Sequence, residues 1–277
     1  MSRAIDLMHL GRDRVICAHE VDGLIVDPGP TSSVDTLLAE LDGEPRALLL
    51  THIHLDHAGA AGTLCRLYPG LRVYVHERGA RHMADPSKLI ESATRLYGDD
   101  MNRLWGEMVP IDQERIHVLE GGETIEDTFE VTYTPGHASH HVTYFDRATG
   151  EAYCGDVAGV RLPPHAYTLV PTPPPDIDID QWLHSVALIE GMRPEALCLT
   201  HAGRFTDVAE HLERVRESLS TRARRSHDMD ADQFAEWSEA EVRAAVDFDT
   251  AESLLQAAPP DQLAAGLRRY WDKVAAR

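Results

Sequence analysis

Hydrophobic residues along the chain alternate between short apolar runs and longer segments with three- and four-residue spacing. Apolar runs bounded by turn residues predict strands at Val15–Glu20, Leu24–Val26, Ala47–Leu50, Arg72–Val75, Phe129–Thr134, Val142–Phe145, Ala152–Cys154 and Ala196–Leu199. Helical spacing predicts one helix over Ala58–Tyr68, two between Glu77 and Met108, one from a cap at Asp180 to about Glu190, and three after Asp207. This alternation of strands and helices is typical of an α/β fold.

Two segments interrupt the regular alternation. Residues 77–109 predict two amphipathic helices broken at Gly98, which form either a packed insertion or a cap over an active site. Residues Leu162–Ile177 contain six prolines, and proline excludes both a helix interior and a central strand. We therefore expect a loop there. The helical segment that follows Asp207 is expected to break again at Pro259-Pro260.

The composition is that of an ordinary globular protein. Hydrophobic residues make up 43% and charged residues 26% of 277 positions, which argues against disorder and against a fibrous repeat. The four cysteines, Cys17, Cys65, Cys154 and Cys198, are widely spaced and form no C-x-x-C pair. This spacing indicates neither a redox dithiol nor a thiolate zinc finger, and it predicts reduced core residues.

Charge and hydropathy restrict the partners and the location. The formal net charge of −20 disfavours nucleic acid, because neutralisation of phosphates by Lys and Arg supplies most of that affinity. No run of apolar residues is long enough to span a membrane, and the opening MSRAIDLMHLGRDR lacks the hydrophobic region of a signal peptide. We expect a cytoplasmic protein that acts on a small molecule and has no membrane partner.

The string T-H-I-H-L-D-H-A-G directly follows the predicted strand Ala47–Leu50. In an extended segment His52 and His54 project to the same side, so both imidazoles can meet one cation. A turn after them can direct Asp56 and His57 toward a second cation. Histidine and carboxylate groups at this spacing predict a metal site.

Three further candidate ligands also follow predicted strands. They are His137 in T-P-G-H, Asp156 in C-G-D and His201 in L-T-H-A-G. Loops at strand ends present functional groups in sheet scaffolds, and the neighbouring glycines allow the backbone to approach closely. A single histidine of this kind is usually a core or surface residue, but in combination with the first motif these three residues indicate metal ligands.

These motifs resemble those of the metallo-β-lactamase-fold hydrolases, in particular the glyoxalase II-like branch. The resemblance covers about residues 15–205 and implies an αββα four-layer sandwich, with two sheets face to face, helices outside and the metals at one edge. It places residues 1–206 in a catalytic domain that carries the helical insertion 77–109. Residues 207–277 then form a C-terminal helical region.

The resemblance also implies a role for each candidate residue. The implied ligands of the first metal are His52, His54 and His137, those of the second are Asp56, His57 and His201, and Asp156 bridges the two. Asp27 occupies the place where the family keeps an aspartate behind the metal loop, and His141 a place where the family often has a supporting histidine.

Two divalent metal ions are therefore the expected cofactor. Nitrogen and carboxylate ligands suit zinc, iron and manganese, and zinc is preferred for hydrolysis because it is a redox-inert Lewis acid. Such ions lower the pKa of a bound water toward about 7 and supply a metal-bridging hydroxide that attacks a carbonyl carbon. We expect Asp56 to act as a catalytic residue that accepts a hydrogen bond from this water and orients it.

The expected activity is hydrolysis of a small thioester, ester or lactone. A phosphodiesterase or nuclease, a mononuclear-iron oxygenase similar to the persulfide dioxygenases, and a non-catalytic binding protein are the alternatives. Two divalent ions would add four positive charges to the site, so an anionic small molecule can still bind to this acidic chain. The sequence leaves open whether the chain forms a homo-oligomer.

Two features of the second half bear on specificity. Glyoxalase II holds glutathione with basic and tyrosine side chains of a helical C-terminal region, and matching residues are not found in this sequence. The three arginines within Arg222–Arg225 predict a solvated helix face. His165, in the proline-rich loop, is expected either to be solvated or to contact substrate.

Overall fold

The computed structural model describes residues 2–276 and contains two six-stranded sheets. The strands of the first sheet are Arg3–Asp6 (β1), Cys17–Val21 (β2), Leu24–Val26 (β3), Ala47–Leu49 (β4), Arg72–His76 (β5) and Ile116–Leu119 (β6). Those of the second sheet are Thr124–Ile125 (β7), Phe129–Tyr133 (β8), Val142–Asp146 (β9), Glu151–Tyr153 (β10), Ala196–Leu199 (β11) and Gly203–Phe205 (β12).

In both sheets the strands lie in chain order. The first sheet runs from β1 to β6, and the pairs from β3 to β6 are parallel. In the second sheet β10 and β11 are parallel, and the other pairs are antiparallel. Because parallel neighbours end at the same edge of a sheet, the loops after β3, β4, β10 and β11 can meet at one side of the molecule.

One apolar cluster fills the space between the sheets, and both sheets contribute to it. In β3, Leu24 and Val26 belong to this cluster, whereas Ile25 belongs to the cluster on the outer face of the first sheet. In β4, Leu49 belongs to the cluster between the sheets and Leu48 to the cluster on the outer face. Both faces of these strands are buried, which explains why their sequences are continuous apolar runs.

Helices cover the outer face of each sheet. Those associated with the first sheet are Val34–Glu40 (α1), Leu55–Ala58 (α2), Ala61–Leu67 (α3), Glu77–Ala84 (α4), Ser87–Tyr97 (α5) and Met101–Trp105 (α6). Those associated with the second sheet are Ile179–Gly191 (α7), Val208–Asp228 (α8), Ala231–Ala245 (α9), Phe248–Ala257 (α10) and Pro260–Ala275 (α11). The predicted four-layer αββα sandwich with a C-terminal helical region is confirmed.

Several predicted boundaries were wrong, each for a local reason. The segment after Asp207 forms four helices rather than three, because Asp230 and Asp247 each cap the start of a new helix with their side chains. The insertion contains three α-helices rather than two, since Pro86 separates α4 from α5. The cap of α7 is Asp178, whose carboxylate accepts from the Gln181 amide, and not Asp180.

The helix predicted over Ala58–Tyr68 corresponds to α3, which begins later, at Ala61, and the short helix α2, which ends at Ala58, was not predicted. The strands β1, β6, β7 and β12 were not predicted. They contain two to four residues each, too few to show a clear alternation of apolar and polar positions.

The cysteines and the hydropathy agree with expectation. All four cysteines are buried and unpaired, as core residues. Within residues 2–276, no helix has the length and apolar character that crossing a membrane requires.

Arg222 is not part of a solvated helix face, contrary to the prediction. Its side chain is 1% exposed, and its guanidinium donates to the Ser238 hydroxyl and the Tyr167 hydroxyl, both at 2.7 Å, and to the Glu241 carboxylate. It thereby ties α8 to α9 and to the proline-rich loop. The two neighbours in the cluster, Arg224 and Arg225, are exposed as expected.

Replacing Arg222 with alanine is expected to lower the free energy of unfolding by about 3 kcal/mol, because three polar groups lose a buried partner at once. Urea unfolding of the metal-free chain measures this loss. The matched control is Arg224→Ala on the same helix, which should stay within about 0.5 kcal/mol of the original chain. Equal effects of the two substitutions would contradict the structural role of Arg222.

Candidate metal centre

The candidate ligands lie at the ends of four strands. The motif that begins at Thr51 follows β4, His137 follows β8, Asp156 follows β10 and His201 follows β11. The motif continues into the short helix α2, whose first turn holds Asp56 and His57. The sandwich brings all of these loops to one edge, so residues separated by up to 149 positions in the chain become neighbours.

All seven predicted ligands come together as two adjacent groups of donor atoms. One group consists of His52, His54, His137 and Asp156, and the other of Asp56, His57 and His201. Within each group the donor atoms lie within 4.8 Å of one another. This His/Asp cluster is consistent with a dinuclear metal site.

Three nitrogens of the first group face one another at close range. His54 Nδ1 lies 3.0 Å from His52 Nε2 and 3.0 Å from His137 Nε2. Three nitrogens bound to one tetrahedral zinc are roughly 3.3 Å apart, as follows from Zn–N distances of about 2.0–2.1 Å. One proton on His54 Nδ1 can satisfy only one of the two contacts, whereas a shared cation satisfies all three lone pairs.

The Asp156 carboxylate lies between the two groups. Its Oδ2 is 3.2 Å from His137 Nε2 in the first group, and its Oδ1 is 3.2 Å from His57 Nε2 and 3.5 Å from His201 Nε2 in the second. The Asp56 carboxylate completes the second group, 3.4 Å from His201 Nε2. One oxygen of Asp156 therefore faces each group, which is the arrangement of a bridging ligand.

Two buried polar atoms at this junction make no hydrogen bond within residues 2–276. They are His57 Nε2 and Asp156 Oδ1, which are close to each other but not aligned as donor and acceptor. Buried polar atoms almost always have a partner, and a cation is a partner that both atoms can share. The residues present therefore fit a metal.

Hydrogen bonds on the outer side of the histidines fix which ring nitrogen is free. His137 Nδ1 donates to the Pro171 carbonyl at 2.9 Å, and His201 Nδ1 donates to the Val15 carbonyl. With the proton on Nδ1, Nε2 of each ring carries a lone pair directed at the cluster. Such contacts to carbonyls and carboxylates are the usual way in which metal-binding histidines are oriented.

Asp27 connects the loops that carry these ligands. Its carboxylate is fully buried and accepts from the Thr51 amide, the Thr51 hydroxyl, the Thr200 hydroxyl and His57 Nδ1, all at 2.7–2.8 Å. Both threonines directly precede a candidate histidine, so the repeated Thr-His pair was a sequence signal for this support. The expectation that Asp27 lies behind the metal loop agrees with this geometry.

The electrostatics differ between the two groups. Burial lowers the pKa of His52 well below 6.5 and that of His137 to about 4, so both imidazoles are neutral donors. Burial acts in the same direction on His57, but the carboxylates of Asp156 and Asp27 outweigh it and raise the pKa of His57 well above 6.5. The second group thus attracts positive charge, which a divalent cation can provide in place of the imidazolium proton.

Two glycines are required by the loops that present these ligands. Gly155, at φ +45°, precedes Asp156, and a Cβ there would lie 2.5 Å from the Thr51 hydroxyl oxygen. Gly136, at φ +132°, precedes His137, and a Cβ there would lie 2.3 Å from the Trp182 amide nitrogen. The close approach predicted for these glycines is therefore present.

Comparison with known proteins identifies the family. A family model of the metallo-beta-lactamase superfamily matches residues 15–201. The chain belongs to this superfamily. The metallo-beta-lactamase fold-containing protein ST1585 of Sulfurisphaera tokodaii is 27% identical over 211 residues, which are 73% of this chain and 77% of that protein. The hydroxyacylglutathione hydrolase of Erwinia tasmaniensis is 34% identical over 133 residues, 48% of this chain and only 41% of that enzyme.

Solved structures show the same fold at low sequence identity. The crystal structure of ST1585 has a TM-score of 0.72 and 23% identity, with 98% of each chain covered. The metallo-beta-lactamase family protein TTHA1429 from Thermus thermophilus has a TM-score of 0.64 and 20% identity, with 100% of this chain and 93% of that one covered.

The candidate centre is only partly exposed to solvent. Five of the seven candidate ligands are buried, whereas His54 and Asp56 are partly exposed and line a cavity of about 460 Å³. Trp105 also lines this cavity, and its ring stacks on His9 with 5.5 Å between centroids. Leu89 and Leu96 of α5 contribute to the same wall, so the geometry favours the cap interpretation of the insertion.

Two other histidines have structural positions. His165 Nε2 pairs with the Asp247 carboxylate at 2.6 Å and joins the proline-rich loop to the start of α10, rather than facing the centre. His141 Nδ1 is 3.0 Å from the Thr134 hydroxyl, and its ring stacks on His52 at 5.1 Å, which agrees with a supporting role.

His211 of α8 fixes the loop that carries Asp156. Its Nε2 donates to the Ala158 carbonyl at 2.8 Å, and its Nδ1 accepts from Arg161 at 3.3 Å, so the buried imidazole is neutral. Burial lowers the pKa of His211 to about 4. Between about pH 6.5 and 4 only the unfolded chain binds this proton, so stability falls as the pH is lowered through that range.

Glutamine at position 211 can reproduce both hydrogen bonds without titrating. The His211→Gln variant, freed of metal, should therefore lose about 2 kcal/mol less stability between pH 7 and pH 5 than the original chain. Urea unfolding at the two pH values measures the difference. Parallel pH profiles of variant and original chain would show that His211 does not contribute.

Proposed function

We propose that the chain is a metal-dependent hydrolase of a small thioester, ester or lactone. His52, His54 and His137 would hold one divalent cation, Asp56, His57 and His201 a second, and Asp156 would bridge them. The observation that carries the proposal is the Asp156 carboxylate, which directs one oxygen at each donor group while the buried Oδ1 lacks a hydrogen bond within residues 2–276.

Two bound cations would polarise the carbonyl of the substrate and lower the pKa of a water molecule. The residues of the chain then position the reactants. Asp56 is the more suitable of the two carboxylates to orient the water, because its side chain is 19% exposed toward the cavity, whereas that of Asp156 is 4% exposed. Its carboxylate accepts the hydrogen bond of the attacking water and holds it toward the carbonyl carbon.

The relatives support hydrolysis of an acyl compound. Hydroxyacylglutathione hydrolases match at 29–34% identity, but the matched part spans only about half of their length or less. Residues that match the C-terminal glutathione contacts of glyoxalase II are not found in this sequence, so we propose a small acyl compound without assigning glutathione as its thiol. Zinc is the proposed metal, and a similar fold was solved in a di-iron-bound form, TTHA1623, at 23% identity and a TM-score of 0.55.

Metal analysis combined with a substrate screen tests the proposal. The full chain, reconstituted separately with Zn²⁺, Fe²⁺ or Mn²⁺, should bind two metal ions. It should hydrolyse at least one compound from a panel of S-lactoylglutathione, acyl-coenzyme A, lactones and nitrophenyl esters. A nitrophenyl phosphodiester and an oxygen electrode with glutathione persulfide are included to test the alternative activities.

The outcomes separate the candidate activities. Two metal ions with metal-dependent ester or thioester hydrolysis would support the proposal. One iron with oxygen consumption would replace it with an oxygenase, and turnover of the phosphodiester alone would replace it with a phosphodiesterase.

A further inference from the structure

The cavity beside the metal centre has an apolar wall made by two separate parts of the chain. On one side are Leu89, Ala93 and Leu96 of α5, and on the other is Leu263 of α11. Its volume of about 460 Å³ lies within the range of small-molecule sites, about 300–1,000 Å³. The cavity therefore has both the size and the surface to hold an apolar group next to His54 and Asp56.

Few charges face this cavity apart from the candidate ligands. Arg95 pairs with Glu91 at 2.8 Å, and Arg269 donates to the Pro175 carbonyl at 3.1 Å. Both arginines are exposed to solvent, whereas the wall itself is formed by Leu89, Ala93, Leu96 and Leu263. An anionic group placed against this apolar wall would lose hydration without gaining a polar partner there, which is unfavourable.

A second groove begins on the other side of His54, and its lining is basic rather than apolar. Arg78, Arg81 and Lys88 line it, and all three are exposed. The acidic groups that face it are Glu77 and Asp176, and Asp176 already accepts from Ser139. On a chain of net charge −20, three basic side chains in one groove beside the metal centre form an attractive site for an anion.

The two cavities meet at the candidate ligand His54. They share His54, Leu89, Ser92 and Pro175, so one side of α5 borders both of them. A molecule that spans the two cavities places its central bond at His54, beside the donor atoms. The apolar part and the anionic part of such a molecule then lie on opposite sides of the bond that is cleaved.

We propose that the substrate joins an apolar acyl chain to an anionic thiol or alcohol leaving group. The acyl chain occupies the cavity between α5 and α11, and the phosphate or carboxylate groups of the leaving group lie along Arg78, Arg81 and Lys88. This inference rests on the proposed hydrolase function and specifies its substrate. Water attacks the carbonyl carbon, the C–S or C–O bond breaks, and the products are a fatty acid and the free thiol or alcohol.

Acyl thioesters of increasing length test the apolar cavity. Acetyl, butyryl, hexanoyl and octanoyl thioesters of N-acetylcysteamine carry no charge, so they report the acyl side alone. We expect kcat/KM to rise about fourfold for each added methylene until the cavity is full. In Ala93→Phe the larger side chain occupies the cavity. The value of kcat/KM should then fall more than tenfold for the octanoyl thioester and change less than twofold for the acetyl thioester. Thr94→Phe, one residue along α5 at an exposed position outside both cavities, is the matched control.

The charge of the leaving group tests the basic groove. Octanoyl-coenzyme A, which carries phosphates, and S-octanoylglutathione, which carries carboxylates, show which anion is preferred. In the double variant Arg81→Gln and Lys88→Gln, KM for the better of the two should rise about fivefold to tenfold. KM for the N-acetylcysteamine thioester should stay the same. Arg147→Gln, outside both cavities, controls for the loss of a surface charge.

A binding measurement keeps this inference separate from the proposed function. The thioethers S-octylglutathione and S-octyl-coenzyme A cannot be hydrolysed, so they report binding alone. Calorimetry should show that Ala93→Phe and the double variant of Arg81 and Lys88 each weaken binding of the thioether that the original chain binds more tightly. If all acyl lengths and leaving groups react equally and the variants change nothing, the substrate inference is overturned while the hydrolase function stands. If no thioester, ester or lactone reacts with any metal, the hydrolase function itself is overturned.

Discussion

Replacement of His54 with alanine is expected to remove the first metal ion and to lower turnover by about 10³-fold or more. His54 Nδ1 lies 3.0 Å from both His52 Nε2 and His137 Nε2, so its loss leaves two nitrogen donors where three converge. The backbone carbonyl of residue 54, which accepts from the Ala58 amide at the start of α2, is retained in the variant. The fold should therefore persist although the metal is lost.

Metal content and stability distinguish this effect from unfolding. Elemental analysis of the variant should show one metal ion per chain or fewer, and the metal-free variant should unfold within a few degrees of the metal-free original chain. His184→Ala is the control, because His184 is exposed on α7 and outside both donor groups. Two metal ions and full turnover in His54→Ala would reject the assignment of this ligand.

The Asp27→Asn variant is expected to lose the second metal ion selectively. Asp27 Oδ2 accepts from His57 Nδ1 at 2.7 Å, and this contact leaves His57 Nε2 free to bind a cation. With an amide nitrogen in place of that oxygen, His57 Nδ1 becomes the acceptor and the imidazole proton moves to Nε2. We expect affinity at the second position to fall about 10–100-fold and turnover to fall with it.

Asparagine is the suitable replacement because the backbone of Asp27 is left-handed, at φ 50°, a conformation that asparagine tolerates better than alanine does. The buried hydroxyls of Thr51 and Thr200 also lose their common acceptor, so the free energy of unfolding of the metal-free variant should fall by about 2 kcal/mol. Calorimetric metal titration and urea unfolding measure the two effects. The control is Asp42→Asn, because the Asp42 side chain is 85% exposed. This variant should change neither the metal affinity nor the free energy of unfolding.

The local sequence contained most of the information about the candidate ligands. His52, His54, Asp56 and His57 lie within six residues, so the extended end of β4 and the first turn of α2 suffice to bring them together. The candidate ligands in the other loops were recognised because each follows a predicted strand. Strand ends are visible in a sequence as an apolar run followed by glycine, threonine or proline.

The surroundings of the centre were harder to predict. Arg222 lies in a basic cluster that predicts a solvated helix, but Ser238, Glu241 and Tyr167 surround its guanidinium. Those partners belong to another helix and to a loop more than 50 positions away. Burial of a charge depends on such distant partners, and periodicity within one helix contains no information about them.

The sequence by itself determined the α/β class, the resemblance to the metallo-β-lactamase fold and the candidate ligands, because strand periodicity and a compact His/Asp motif are local properties. The bridging position of Asp156 was implied by the resemblance, and its geometry agrees with that. Only the tertiary structure decided that α5 and α11 enclose an apolar cavity beside the donor groups. Tyr97 and Gln262, whose side chains are hydrogen-bonded across this cavity at 3.3 Å, are 165 positions apart in the chain. Contacts over such distances depend on how the layers pack as a whole, which local patterns do not specify.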